Sequence, residues 1–463
     1  MQTNFSPEQL TDPKLKEADD ILRRCVHCGF CTATCPTYLL LGDERDSPRG
    51  RIYLIKEMLE TNAPASEAVT THVDRCLGCL SCMTTCPSGV DYMHLVDQAR
   101  ERINETYERR RGNRLARWLI RQTVPHVGRF RWALRGARFG RALTTPLERW
   151  GFKEVAAMLR LAPLGLMPRA EHAFPGVFPA VGGRKRRVIL LGGCAQKVLR
   201  PDINDATIRL LTRIGIEVVV PEGEGCCGAL VQHMGHEAEA QAAARRNIAA
   251  WERAIQMGPV DAILVNTSGC GTSVKDYGHL LSRDGQFKER AARIATLAAD
   301  VSEYLARLGL GAPQRWSSLK VAYQSACSLQ HGQRVTDAPM QLLRKAGFSV
   351  TGLAEPHICC GSAGTYNMLQ PELSVALRTR KAANIEKAAA DVVASGNIGC
   401  ITQLSPAIDR PIVHTIELLD WAYGGPAPRG LERFAGRMSD VPLKRAPMLV
   451  SAASDAAASD PPT

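Results

Sequence analysis

Eight cysteines fall in two runs of identical spacing, Cys25-X2-Cys28-X2-Cys31-X3-Cys35-Pro36 and Cys76-X2-Cys79-X2-Cys82-X3-Cys86-Pro87. Three thiolates at X2 spacing can wrap one face of a cube of iron and sulfide. The fourth, followed by proline, reaches the other cluster in two-cluster ferredoxins. On that pattern Cys25, Cys28, Cys31 and Cys86 hold one [4Fe–4S] cluster, and Cys35, Cys76, Cys79 and Cys82 hold the second. Iron asks for soft anionic sulfur, which thiolate supplies. Zinc is the competing reading, because two CxxC pairs make a four-thiolate site. Zinc has no use, however, for the third X2 step or for a Cys-Pro end in both runs. Two clusters in series pass an electron from one to the other, so this region reads as a wire and not as a site of substrate chemistry.

The other eight cysteines are Cys194, Cys226, Cys227 and Cys270, then Cys327, Cys359, Cys360 and Cys400. Their spacing repeats. The first cysteine precedes the Cys-Cys-Gly triplet by 32 positions in both copies, and each last cysteine closes the frame Asp-X7-Gly-Cys, from Asp261 and from Asp391. A shared frame of this length points to a duplicated module. Four thiolates per module suffice for a further iron–sulfur cluster. A redox-active dithiol, another soft metal and a purely structural remnant stay open beside it. His233, His236 and His357 lie near the triplets as candidate ligands, although a loop histidine more often only hydrogen-bonds.

These cysteines need elements to position them. Ser47-Pro48 followed by Ile52, Ile55, Met58 and Leu59 predicts a capped helix between the two N-terminal runs, and another helix is expected over 92–108. Each later module opens on an apolar run into its first cysteine and continues with a helix ending at Gly215 or Gly347. A β-branched run, an alanine-rich helix (237–257 or 371–390) and a last apolar strand follow. Strand alternating with helix predicts a parallel sheet, with the cysteines at the strands' C-terminal edge, where such sheets bind ligands. The expected fold class is multidomain α plus α/β. An α-helical two-cluster ferredoxin (1–107) comes first, then a basic helical linker (108–186), two α/β cysteine-rich modules (187–312 and 313–430) and a disordered tail (431–463).

The chain has 463 residues and a formal net charge of +12. Nearly all of that excess sits between Arg109 and Arg141, which holds eleven arginines and no acid. Arginines at three- to four-residue intervals among Leu115, Trp118, Ile120, Phe130 and Trp132 suggest amphipathic helices broken at Pro125 and Gly128. Such a segment suits an anionic membrane surface or an acidic partner, or it serves as a plain linker. Nucleic acid is not expected, since aromatics are 5% of residues and no recognisable module is present. The chain shows neither an apolar leader nor an apolar run of spanning length. That predicts the cytoplasm, or the cytoplasmic face of the inner membrane as a peripheral protein. Thiols stay reduced there, which favours metal ligation over disulfides.

From Cys25 through the stretch Cys35-Pro36-Thr37 to Cys86-Pro87, the chain resembles the helical ferredoxin domains of respiratory dehydrogenases. The later modules resemble the CCG domains of heterodisulfide reductases. One such ferredoxin followed by two CCG modules is similar to the iron–sulfur subunits of glycolate oxidase (glycolate dehydrogenase). The motifs are shared with the iron–sulfur subunits of lactate and anaerobic glycerol-3-phosphate dehydrogenases. The resemblance implies electron transfer from FAD-binding partner subunits, which oxidise glycolate to glyoxylate, toward a membrane quinone. No dinucleotide fingerprint occurs in this chain, so FAD belongs on the partners and no catalytic residue is expected here. In the fullest CCG motif the last element is a Cys-X2-Cys pair. Thr267 and Asn397 stand where its first cysteine would be, which weighs against heterodisulfide-reductase-like thiol chemistry.

Overall fold

The computed structural model describes residues 1–163, 165 and 168–440. The first hundred residues form a helical unit. Helices Pro13–Arg23 and Pro48–Glu60 each begin with proline, and Asp12 and Ser47 cap them by accepting from the backbone N–H of Lys14 and Gly50. Ile52, Ile55 and Leu59 repeat at helical spacing and bury against Leu95, Ala99 and Ile103 of helix Tyr92–Thr106. Each fully buried aliphatic side chain there contributes about 1.5–3 kcal/mol. The cysteine runs are the loops between these helices.

The remainder is built on two sheets. Strands β1 (Gly176–Phe178), β2 (Arg186–Leu190), β3 (Ile216–Val220), β4 (Ala262–Val265) and β5 (Ala298–Asp300) form the first, in the order β1-β3-β2-β4-β5. All its pairings are parallel except β1 with β3. Strands β6 (Arg315–Ser317), β7 (Lys320–Gln324), β8 (Ser349–Gly352), β9 (Val392–Ser395), β10 (Ile412–His414) and β11 (Met438–Asp440) follow. Of these, β8, β7, β9 and β10 form the second sheet, wholly parallel, with the same strand order as β3-β2-β4-β5. The duplication is therefore structural. The repeated aspartates have one job: Asp261 accepts from the backbone N–H of Arg187 at 3.0 Å and Asp391 from that of Lys320 at 2.8 Å. Each carboxylate ties the start of the module's third strand to its first.

The modules are paired about a pseudo-twofold. The helix after the first strand of one module packs on the helix after the fourth strand of the other. Asp202–Arg213 thus meets Thr415–Ala422, and Ala338–Lys345 meets Val301–Leu308. The latter helices of each pair open with the same capping box, Asp300 with Glu303 and His414 with Glu417. One apolar core runs through both modules.

Two expected boundaries move. Strand β1 lies inside the span read as linker, yet it extends the first sheet. Residues 431–440 are ordered where a tail was expected: Leu431 is fully buried, β11 pairs antiparallel with β6, and Arg437 bridges to Asp391 at 2.8 Å. The strand is three residues long, too short to show an alternating pattern in the sequence. Residues 441–463, the rest of the expected tail, lie outside the described residues.

The helical unit sits against both modules. Lys14 pairs with Glu237 at 2.9 Å, Tyr366 donates to the Arg75 carbonyl at 3.0 Å, and Thr84 meets His331 at 2.7 Å. His94 bridges Asp91 (2.6 Å) and Asp276 (3.0 Å). Burial works against its charge, but the two carboxylates outweigh it and lift its pKa to about 10.

Candidate redox centres

The helix–loop layout gathers the N-terminal cysteines into two groups. Cys25, Cys28, Cys31 and Cys86 border one small cavity together with Cys82. Burial pushes the Cys31 thiol up to about 11, and Cys25 and Cys35 add to the push. Cys35, Cys76, Cys79 and Cys82 are all buried. Burial raises Cys79 and Cys82 well above the ordinary thiol range, and the neighbouring thiols raise them further. Crowded thiols resist ionising together unless positive charge joins them. A cationic iron–sulfur core answers that conflict, so both groups fit such a cluster.

The protein supplies some positive charge itself. Arg51 is fully buried, with its Nε donating to the His72 carbonyl at 2.6 Å and its Nη1 lying 3.8 Å from Cys35 Sγ. Burial opposes ionisation of Cys76, but Arg51 and Arg100 outweigh it and hold that thiol below its ordinary value. Tyr92 Oη also donates to Cys76 Sγ at 3.7 Å.

In each module the cysteines come together as the strand order dictates. The first and third strands flank the point where connections leave in opposite directions; Cys194 and Cys270, like Cys327 and Cys400, follow their C-terminal ends, and the vicinal cysteines follow the second strand. Cys194 and Cys226 Sγ atoms are 3.6 Å apart, Cys327 and Cys359 3.7 Å, and Cys360 and Cys400 3.4 Å. A disulfide would require about 2.05 Å, and all sixteen cysteines are free. The glycine of each triplet has a steric cause. Gly228 and Gly361 sit at φ +94° and +88°, and an added Cβ would meet the Ala240 backbone at 3.1 Å or the Ser374 carbonyl at 2.6 Å. Those contacts belong to the alanine-rich helices, which lie directly behind the vicinal cysteines.

Cys226 differs from its neighbours. Hydrogen bonds from Cys194 and Cys227 pull its pKa well down, while Cys194 and Cys227 are pushed up. Where a fifth cysteine would stand, Thr267 donates to Gln196 Oε1 at 2.6 Å, and Asn397 Nδ2 approaches Cys400 Sγ at 3.6 Å. Of the nearby histidines, His233 lines the same cavity as the module cysteines, His236 faces the arginine groove around Arg114 and Arg121, and neither cavity includes His357.

Two relations were invisible in the sequence. Cys79 packs in one apolar cluster with Cys359, flanked by Leu77, Ile358 and Cys327, so the second N-terminal group abuts the second module. And both module sets open on one shared cavity of about 260 Å3, with all eight module cysteines in its wall. The pseudo-twofold brings the two sheet edges face to face, a consequence of tertiary pairing that spacing does not encode. The sulfur groups thus form a file: exposed Cys28, the first group, the second group, the second module, the cavity, then the first module.

Comparison with known proteins agrees with this architecture. The family "4Fe-4S dicluster domain" matches residues 21–90, and "Cysteine-rich domain" matches 188–275 and 321–405. The chain is 41% identical to the glycolate oxidase iron-sulfur subunit of Escherichia coli, over 91% of this chain and 99% of that one. It is 33% identical to a probable glycolate oxidase iron-sulfur subunit of Bacillus subtilis, over 87% and 94%. Lactate utilization protein A of Bacillus licheniformis is 29% identical but aligns with only 50% of this chain. A crystal structure of a hypothetical protein from Helicobacter pylori shares the fold (TM-score 0.50, 10% identity, covering 90% of this chain and 73% of that one).

Proposed function

Because the chain belongs to the family of glycolate oxidase iron–sulfur subunits, we propose that it carries electrons from FAD-binding partner subunits, which oxidise glycolate to glyoxylate, toward a membrane quinone. Cys25, Cys28, Cys31 and Cys86 hold the first [4Fe–4S] cluster, and Cys35, Cys76, Cys79 and Cys82 hold the second. Cys194, Cys226, Cys227 and Cys270, with Cys327, Cys359, Cys360 and Cys400, are positioned to hold further iron–sulfur centres. When bound, these groups supply one-electron redox chemistry. The polypeptide excludes water from the second group, favours the thiolate of Cys76 through Arg51 and Arg100, and aligns successive groups.

The observation that carries this reading is the file of sulfur groups, unbroken from Cys28 at the surface to the cavity between the modules. Coverage supports glycolate over lactate, since the glycolate-named relatives align along the whole architecture and the lactate-named one along half. The test is anaerobic addition of glycolate with low-temperature EPR. Reduced iron–sulfur signals are expected only in the co-purified complex with its flavoprotein, never in this chain alone. Signals in the flavin-free chain would contradict the reading.

The basic segment provides the membrane contact. It forms helices Arg111–Thr123 and Val127–Gly140, and the second has no fully buried residue. Phe130 and Leu134 face inward, whereas Trp132 (70% exposed) and Phe139 (86%) lie seven residues apart on the opposite side, among Arg131, Arg135 and Arg138. Arg109 and Arg117 instead turn in to Asp74, and Arg121 pairs with Glu239, so only part of the positive charge faces outward. Exposed aromatics framed by arginine suit the interface of an anionic bilayer. The double change Trp132→Ser, Phe139→Ser should weaken co-sedimentation with phosphatidylglycerol vesicles at least about tenfold. Binding of the unaltered protein should also fall with added salt. Salt-insensitive binding unaffected by the double change would exclude this face.

A further inference from the structure

The first helix of the basic segment carries a concentration of positive charge that electron relay does not use. Helix Arg111–Thr123 buries Ala116 and Ile120 in an apolar cluster with Val231, Met234 and Ala240. Arg114, Arg117, Trp118 and Arg121 recur at i, i+3, i+4 and i+7, so they share the opposite face of that helix. With Arg109, Asn104 and His236 they line an open groove of about 570 Å3. Charge is crowded there. Arg109 and Arg117 share the one carboxylate of Asp74, Arg121 pairs with Glu239, and Arg114 reaches Glu108 only at 3.6 Å. Glu108 is the one acid in the groove wall among the described residues. Burial pushes Arg117 down to about 10 against the pull of Asp74, and Arg109 and Arg100 push the same way. Burial also lowers His236 to about 4, with Arg121 adding to the push. The neutral ring accepts at Nδ1 from Asn104 Nδ2 (3.3 Å), which leaves its proton on Nε2 as a donor. An anion seated among these cations relieves their mutual repulsion.

We propose that this groove holds the phosphodiester headgroup of an anionic phospholipid, with Arg114, Arg121 and His236 around the phosphate and Leu115 and Trp118 along its acyl chains. The inference rests on the reading of the basic segment as a membrane contact and adds a discrete lipid site to it. Guanidinium forks match phosphate oxygens in pairs, which carboxylate-paired arginines can still do, because each carries five donors and one carboxylate uses two. The groups are open to an incoming ligand: the Arg114 side chain is 63% exposed, Trp118 53% and Leu115 40%. A free inorganic anion would use the arginines and leave the two apolar side chains in water. An amphiphile covers both, and its volume suits a groove of this size. The bilayer-facing helix Val127–Gly140, with exposed Trp132 and Phe139, starts four residues after this one ends. A lipid drawn into the groove therefore comes from the surface that the same segment meets.

The test titrates the full chain, purified anaerobically, with monomeric dihexanoyl phosphatidylglycerol, dihexanoyl phosphatidylcholine and inorganic phosphate. The phosphatidylglycerol should bind at least about tenfold more tightly than either of the others. Arg114→Glu should weaken it at least about tenfold, and Trp118→Ala should weaken it severalfold while leaving the weak binding of phosphate unchanged. Arg110→Glu is the control, because that side chain is 93% exposed and lies outside the groove wall; it makes the same change of charge and should leave the affinity as it is. Iron content and EPR of the reduced protein serve as the folding check. Equal losses in Arg114→Glu and Arg110→Glu would mean diffuse charge and no site, and phosphate binding as tightly as the lipid would make this a site for the free anion; either overturns the proposal. So would loss of the lipid in the co-purified complex, which would give the groove to the partner subunit. If the groove fails but the protein still sediments with phosphatidylglycerol vesicles through Trp132 and Phe139, the membrane contact stands without it. Absence of both removes both.

Discussion

Replacing Cys35 with serine should cost the protein the second N-terminal cluster, not the first, and stop electron delivery to quinone. Serine keeps the shape of the side chain but offers a hard oxygen that iron–sulfur centres bind poorly. Cys35 belongs by sequence to the first run, yet in space it joins Cys76, Cys79 and Cys82. It is buried, within reach of Arg51 and Thr37, and among the thiols that raise Cys79. Cys35→Ser and Cys79→Ser should therefore give one phenotype, a loss of about four iron atoms per chain with the same EPR signal missing. Cys28→Ser should remove the other signal. If Cys35→Ser instead matched Cys28→Ser, ligation would follow the order of the chain and the crossed arrangement would be wrong.

The second large effect is expected at Arg51. Its guanidinium donates to the His72 carbonyl and to Thr37 Oγ1 at 2.9 Å, and approaches Asp46 Oδ1 at 3.4 Å. Asp46 is wholly buried and shares its other contacts with His72 and Arg75. Arg51→Met removes one cation from a buried network and leaves excess negative charge on thiolates and carboxylate. The cost should be about 3–5 kcal/mol of stability, read by urea unfolding. Arg51→Lys should recover only part of this, because an ammonium cannot reproduce the planar fork. A second readout separates electrostatics from packing. Loss of a cation beside Cys35 and Cys76 disfavours the reduced form, so one of the two EPR-monitored potentials should move to more negative values while the other stays. Two unmoved potentials with normal iron would leave Arg51 a purely structural residue.

Arg51 also shows where sequence reading stops. It lies on the apolar stripe with Ile55 and Leu59, at the i, i+4, i+8 positions of the helix. A charge on a buried stripe signals a buried partner, but the partner, Cys35, is sixteen residues away and only the fold brings it near. The helix itself was legible, because Ser47-Pro48 writes its start chemically. The modules were legible for a similar reason: Asp261 and Asp391, Gly228 and Gly361 each answer a local steric or hydrogen-bonding demand that recurs in both copies. The facing of the two sheet edges was not legible. It depends on helix Asp202–Arg213 finding helix Thr415–Ala422 across more than two hundred residues. No periodicity encodes such a pairing, and hence none encodes the cavity that all eight module cysteines share. The short strands β1 and β11 escaped for want of length, since three residues carry no alternation to read.

The most direct measurement is the iron and acid-labile sulfide content of the anaerobically purified full chain, taken with EPR of the dithionite-reduced protein. At least about eight iron atoms per chain and two magnetically interacting [4Fe–4S] signals are expected, both abolished when the two N-terminal cysteine runs are changed to serine. Colourless protein carrying zinc in place of iron, or signals that survive the loss of those eight cysteines, would contradict the account.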